Sequence, residues 1–108
     1  MARRVSRGDI WMYAFKAPDK QRPVVILSRQ SVIPLLATVM VAPVTSTIHG
    51  VPSEVMVGIG HGLKQESAVN LDHVQTIDRS RLKRYVGHLD EEMMERVCAA
   101  LAIATGCA

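Results

Sequence analysis

The sequence predicts a small, mainly β domain closed by one C-terminal α-helix, and three observations predict it. Short apolar runs recur along the 108 residues, separated by Gly, Pro, Asp or polar clusters, which is the spacing of short strands rather than of helices. One of these runs, Val24-Val25-Ile26-Leu27, is continuous and mostly branched, so it reads as a buried strand. Helical spacing is sustained only beyond Leu89. Many short strands followed by one helix suit a strongly bent sheet or partial barrel around a single core. A chain of this length, residues 1–108, is one domain, and folding should bury roughly two thirds of its unfolded surface, enough for a core without staples.

Each element follows from its own pattern. Residues 9–15 alternate Ile10, Met12 and Ala14 against Trp11, Tyr13 and Phe15, a strand period. A polar loop follows, with Pro18-Asp19 as turn chemistry. Pro23 opens the second strand, residues 23–27, where a missing N–H is tolerated. Residues 36–44 read as a third strand, and 45–50 as its polar exit. In residues 52–57, Val55 and Val57 alternate with Glu54 and Met56, giving a fourth. Gly58, Gly60 and Gly62 mark a hairpin turn; they lack the strand–helix setting of a phosphate loop. Residues 68–71 and 74–77 read as two short strands, or one bent strand broken near Asp72-His73, and 85–88 as the last strand.

The helix runs from Leu89 onward. Asp90 is its N-cap, Glu91 and Glu92 suit the positive end of its dipole, and Leu89 with Met94 occupy staple positions. Met94, Val97, Cys98 and Leu101 form its apolar stripe, with Cys98 packed as a small hydrophobe. Residues 1–6 read as a flexible basic arm.

Composition narrows the function. The hydrophobic fraction is 48%, yet no apolar run approaches the roughly 20 residues needed to span a membrane. No signal peptide is apparent in the basic, polar start, so a cytoplasmic protein without a membrane partner is expected. Cys98 and Cys107 form no CxxC and have no nearby His pair, so neither a metal site nor another cofactor is expected. The net charge of +3 permits a polyanionic partner. Its distribution says more. Arg3, Arg4 and Arg7 crowd the N-terminus, and Lys16, Lys20 and Arg22 surround one loop. Arg79, Arg81, Lys83 and Arg84 share another stretch, while Glu91, Glu92 and Glu95 open the helix. A basic face opposite an acidic end steers anions.

Two strand ends carry the chemistry. Arg22 begins Arg-Pro-Val-Val-Ile-Leu, and Thr45, Ser46 and Thr47 end Ala-Pro-Val-Thr-Ser-Thr. If the two runs are neighbouring strands, Arg22 and Thr45 converge on one surface point. A fixed guanidinium beside hydroxyl donors suits a phosphate whose charge grows during reaction. Lys16, Lys20 and Gln21 flank that point, either as solvated loop residues or as phosphate contacts. His49, four residues past Thr45, is a candidate contact. Gln75 is either a base-edge hydrogen bonder or a plain strand residue. His49, His61, His73 and His88 lie on different segments, and nothing brings two together as an acid–base pair. Trp11 and Phe15 read as core rather than base-stacking residues, and Asp9 as the anchor of the first strand's turn.

These residues resemble the MazF/PemK toxin family. Arg7-Gly8-Asp9-Ile10-Trp11 is similar to its opening RGDIW motif, and the Arg22 run to its RPVVVL strand. Pro43-Val44-Thr45-Ser46 is similar to its PVTS strand end. Ser67-Ala68-Val69 and Gln75-Thr76-Ile77-Asp78-Arg79 with Leu82 resemble its later S-x-V and T-I-D region. The motifs come in family order from Arg7 to about Thr105. The resemblance implies an SH3-like barrel with a C-terminal helix, usually a homodimer. It implies metal-independent cleavage of single-stranded RNA, with Thr45 at the place of the family's catalytic threonine. It also implies a cognate antitoxin whose acidic flexible tail occupies the RNA groove. Many members carry Arg where this chain has His49. Two other functions remain open: a toxin of related fold that inhibits DNA gyrase without cutting RNA, and a nucleic-acid-binding barrel without turnover.

Overall fold

The computed structural model describes residues 3–15 and 21–108. Seven strands, β1 (Asp9–Ala14), β2 (Gln21–Ile26), β3 (Thr38–Thr45), β4 (Glu54–Val57), β5 (Ser67–Asn70), β6 (Gln75–Asp78) and β7 (Leu82–His88), precede one helix, α1 (Glu91–Ala104). The pairings are antiparallel, in the order β4-β5-β3-β2-β1-β7, and β6 also pairs with β3. β3 organises the sheet. One edge holds β2 through Val41, Ala42 and Pro43. Along the other, β6 pairs with Thr38–Val41 residues and β5 with Val44 and Thr45. The strand expected to break near Asp72-His73 does so, at a 3-10 turn over Leu71–His73.

The sheet has apolar residues on both faces. Ile10, Val25, Leu27, Ala42 and Val44 pack with Leu89, Met94, Val97 and Ala100 beneath α1. Trp11, Tyr13, Val24, Ile26, Val39, Val41 and Ile77 pack on the other side. Residues 24–27 therefore alternate between two cores, which is why their sequence shows no polar face.

Two strand starts and one burial differ from expectation, each for a physical reason. The third strand begins at Thr38 rather than residue 36. Pro34 lies in a turn where the Val32 carbonyl accepts the Leu35 and Leu36 amides, leaving Leu35 77% and Leu36 50% exposed. The last strand begins earlier, at Leu82, because two irregularities in the β1–β7 register keep Leu82 and Arg84 paired with Tyr13 and Met12. The helix buries Met94, Val97 and Ala100, whereas Cys98 is exposed. The expected burial of Cys98 is corrected accordingly: spacings of three set the inward line, and Cys98 falls on its flank, 3.2 Å from Arg7 Nη2.

Asp90 caps α1 as expected, its side chain accepting the Met93 amide at 2.9 Å. Asp9 anchors the entry to β1. It is 2% exposed, and its carboxylate accepts the Ser6 amide at 2.8 Å and the Trp11 indole N–H at 3.2 Å. His88 Nδ1 lies 2.8 Å from its other oxygen. Of the amino-terminal segment, Val5 packs against the second core and Arg3 lies 3.6 Å above the Tyr85 ring.

Candidate active site

The β2–β3 register pairs Val24 with Pro43. Two residues further along each strand stand Arg22 and Thr45, so the same ladder carries both to one end of the sheet. They line a single groove of about 300 Å³. Its floor is a cross-strand row. Arg84 opposes Met12, and Met12 opposes Pro23; Val44 continues the row on β3. Met12, Pro23, Val44, Leu63 and Val86 make the apolar part, while Arg22, Arg84, Lys64, Thr45 and Ser46 supply polar groups. No carboxylate and no imidazole lines the groove among the described residues. Three cations with no acid among the described lining residues make the groove locally positive.

Thr45 is held from two directions. Its backbone pairs with Ala68 of β5, and its Oγ1 accepts the Thr47 amide at 3.0 Å. One lone pair is thus occupied while the hydroxyl proton remains to be donated outward. The loop beyond is fixed by Glu54, whose carboxylate accepts the His49 and Gly50 amides at 3.0 and 2.8 Å. Arg22 is exposed, and among the described residues no carboxylate pairs with it.

The opposite wall depends on a close backbone approach. Gly62, with φ 91°, ends the 3-10 turn over Ile59–His61 within the expected β4–β5 hairpin. A Cβ there would lie 2.2 Å from the Val86 carbonyl oxygen. A Cβ on Gly87 would lie 2.1 Å from the His61 oxygen. Two residues without side chains let the 62–65 loop cross β7 and bring Lys64 and Gln65 to the groove.

The sequence candidates therefore divide. Arg22, Thr45 and Ser46 meet in the groove. Gln21 pairs with Ala14 and is exposed beside Arg22. Thr47 contributes its amide to Thr45. His49 and Gln75 are exposed outside the groove lining, Gln75 opposite Val41 at the start of β6. Lys16 and Lys20 lie outside the described residues. Arg84 and Lys64 were not singled out from sequence as site residues. Alternation along residues 82–88 was the available signal for Arg84, because it separates Arg84 from Lys83; Lys64 had none.

Among the described residues, no three His, Cys, Asp or Glu side chains gather as a metal cluster. One carboxyl has a clear shift. Exposed Asp78 is held below its usual 3.8 by the Ser80 amide and hydroxyl at 3.0 and 2.9 Å, against an opposing desolvation effect and with a lesser contribution from Arg81. It fixes the turn over Arg79–Arg81 and takes no part in the groove.

A bent antiparallel sheet with one helix, bearing a cationic groove with a fixed hydroxyl, defines a small β domain with a positively charged groove. Comparison gives the class its family. Residues 6–105 match the PemK-like, MazF-like toxins of type II toxin–antitoxin systems, and the chain belongs to that family. It is 40% identical over 103 residues to the probable endoribonuclease MazF5 of Mycobacterium tuberculosis, covering 94% of each chain. Its fold superposes on the Mycobacterium tuberculosis toxin MazF-mt6 with a TM-score of 0.85 and 37% identity, covering 93% of this chain and 98% of that one. It superposes on a mycobacterial endoribonuclease solved with its cognate antitoxin with a TM-score of 0.84 and 25% identity, covering 96% and 97%. Among the described residues no helix is long and apolar enough to cross a membrane.

Proposed function

We propose that this chain is a toxin that acts as a sequence-selective, metal-independent endoribonuclease on single-stranded RNA. The carrying observation is that Arg22 and Thr45 line one groove, in which no carboxylate stands among the described residues. In this reading the RNA supplies its own nucleophile. The 2′ oxygen bonds to the adjacent phosphorus as the bond to the 5′ oxygen breaks. The 2′ proton leaves, the departing oxygen takes a proton, and the products are a 2′,3′-cyclic phosphate and a 5′-hydroxyl. Arg22 grips two phosphate oxygens with its planar fork, and the Thr45 hydroxyl donates to one of them as charge develops. Arg84 and Lys64 hold the flanking chain. An acidic antitoxin tail competes for the same cations, and the active form is a homodimer.

Among the described residues the groove's lining holds no histidine or carboxylate, and the proposed acceleration rests on charge stabilisation. The rate then rises with pH without the inflection near 6.5 that a histidine base imposes. The test is cleavage of single-stranded RNA in excess EDTA, with product ends identified by mass spectrometry. Cyclic phosphate and 5′-hydroxyl ends are expected. Gyrase poisoning without RNA cleavage, or salt-sensitive binding without turnover, contradicts the proposal.

A further inference from the structure

β7 is the last strand in the sheet order, and its side chains alternate. Arg84 and Val86 line the groove described above. Lys83 and Tyr85 line a different cavity of about 390 Å³. That cavity adjoins one of about 670 Å³, and the two share Arg3, Val5 and Arg79. Together they form a second groove on the other face of β7. Among the described residues its lining holds four cations, Arg3, Arg4, Arg79 and Lys83, and no carboxylate.

Two features separate this groove from an ordinary solvated charge run. Its cations stand beside apolar residues, Ile33, Pro34 and Val5, which give the groove walls and keep it from being a bare run of charge. It also contains a flat platform. The Arg3 guanidinium lies 3.6 Å from the Tyr85 ring centroid, and Tyr85 is braced edge-on by Trp11 at 6.0 Å and 79°. A nucleobase stacks on a guanidinium plane or an aromatic face, whereas an acidic peptide has no use for one. Arg79 is partly committed, donating to the Ile33 carbonyl, which leaves Arg3, Arg4 and Lys83 as the freer charges.

We propose that this second groove is an RNA-holding exosite. A single strand leaving the cleavage groove past Arg84 crosses β7 to Lys83, places phosphates against Arg3, Arg4 and Lys83, and stacks one base on the Arg3–Tyr85 platform. The inference rests on the ribonuclease reading for its choice of ligand. The exosite anchors long substrates without touching the bond that breaks.

The test compares the full chain with the variant Arg3→Gln/Arg4→Gln/Lys83→Gln. A second variant, Arg4→Gln/Lys83→Gln, keeps the Arg3–Tyr85 stack should the first fail to fold. Two RNAs carry the mapped cut site, one just spanning it and one extended by about ten nucleotides on either side. The variant should raise KM for the extended RNA about tenfold with kcat unchanged, and leave the short RNA unaffected. Binding of an uncleavable 2′-O-methyl version of the extended strand, followed by anisotropy, should lose about 2 units of log–log salt slope, since each single-strand phosphate contact contributes about 0.7. Equal effects on both lengths, or none on either, overturn the proposal. So does a loss confined to a poly-glutamate probe, which assigns the groove to acidic peptide. If the wild type cuts no RNA, yet the slope on the uncleavable strand still falls, the cleavage reading fails and the exosite stands.

Discussion

The Thr45 hydroxyl accepts a backbone N–H from Thr47, so its oxygen is fixed while its proton stays available. Arg22 shares the groove, and a planar, permanently charged fork is not replaced by a lysine point charge. At Asp9 the stakes are structural. A residue 2% exposed satisfies the Ser6 amide and the Trp11 indole and faces His88. Asp9→Ala leaves buried donors without partners, at about 1–3 kcal/mol for each. A fall in the denaturation midpoint equivalent to about 2–4 kcal/mol is expected. A midpoint unchanged in urea titration contradicts the role assigned to Asp9. The anchoring role was readable from its place beside Gly8; the contact with His88, across 79 residues, was not.

Among the elements, the hairpin from β4 to β5 matters most to the groove. Gly62→Ala or Gly87→Ala forces a Cβ to within 2.2 or 2.1 Å of a backbone oxygen, so the 62–65 loop must shift away from β7. The expected result is a loss of about 1–3 kcal/mol of stability together with weaker RNA binding. Thermal melting and anisotropy measure the two, and unchanged values in both show that the loop does not depend on this approach. The glycines were legible as a turn, but their purpose was not, because nothing local reveals that residues 61–62 touch residues 86–87. The same limit applies to Arg84. Its pairing with Met12 is long-range, and the β1–β7 irregularities decide which basic residue of residues 83–84 faces which groove. Local signals served well where one element determines them: the Asp90 cap, the alternation of Trp11 and Tyr13 into core, and the branched run of β2. They misled at Cys98, which helical spacing put in the apolar stripe, whereas the buried line runs through Met94, Val97 and Ala100 and leaves the thiol on its flank.

At the scale of the molecule, charge is segregated. Cations line grooves on both faces of β7, while Glu91, Glu92 and Glu95 lie on the exposed side of α1. Under the proposed function such a distribution draws RNA toward the sheet and away from the helix, and binding is expected to fall steeply with salt. The meeting of Arg22 and Thr45 followed from two strand ends already legible in the sequence, once β2 and β3 proved to be neighbours. The second groove was not legible, since it needs the amino-terminal segment to lie on β7.

The claim most in need of test is that Arg22 and Thr45 serve one phosphate in one transition state. A double-mutant cycle in single-turnover cleavage of RNA, using Arg22→Ala, Thr45→Val and the pair, addresses it directly. Each single change should slow the chemical step about 10²–10³-fold, and the double variant should be little slower than the worse single, because partners acting as a unit are not additive. Fully multiplicative losses, or a single variant with wild-type rate, contradict the shared site.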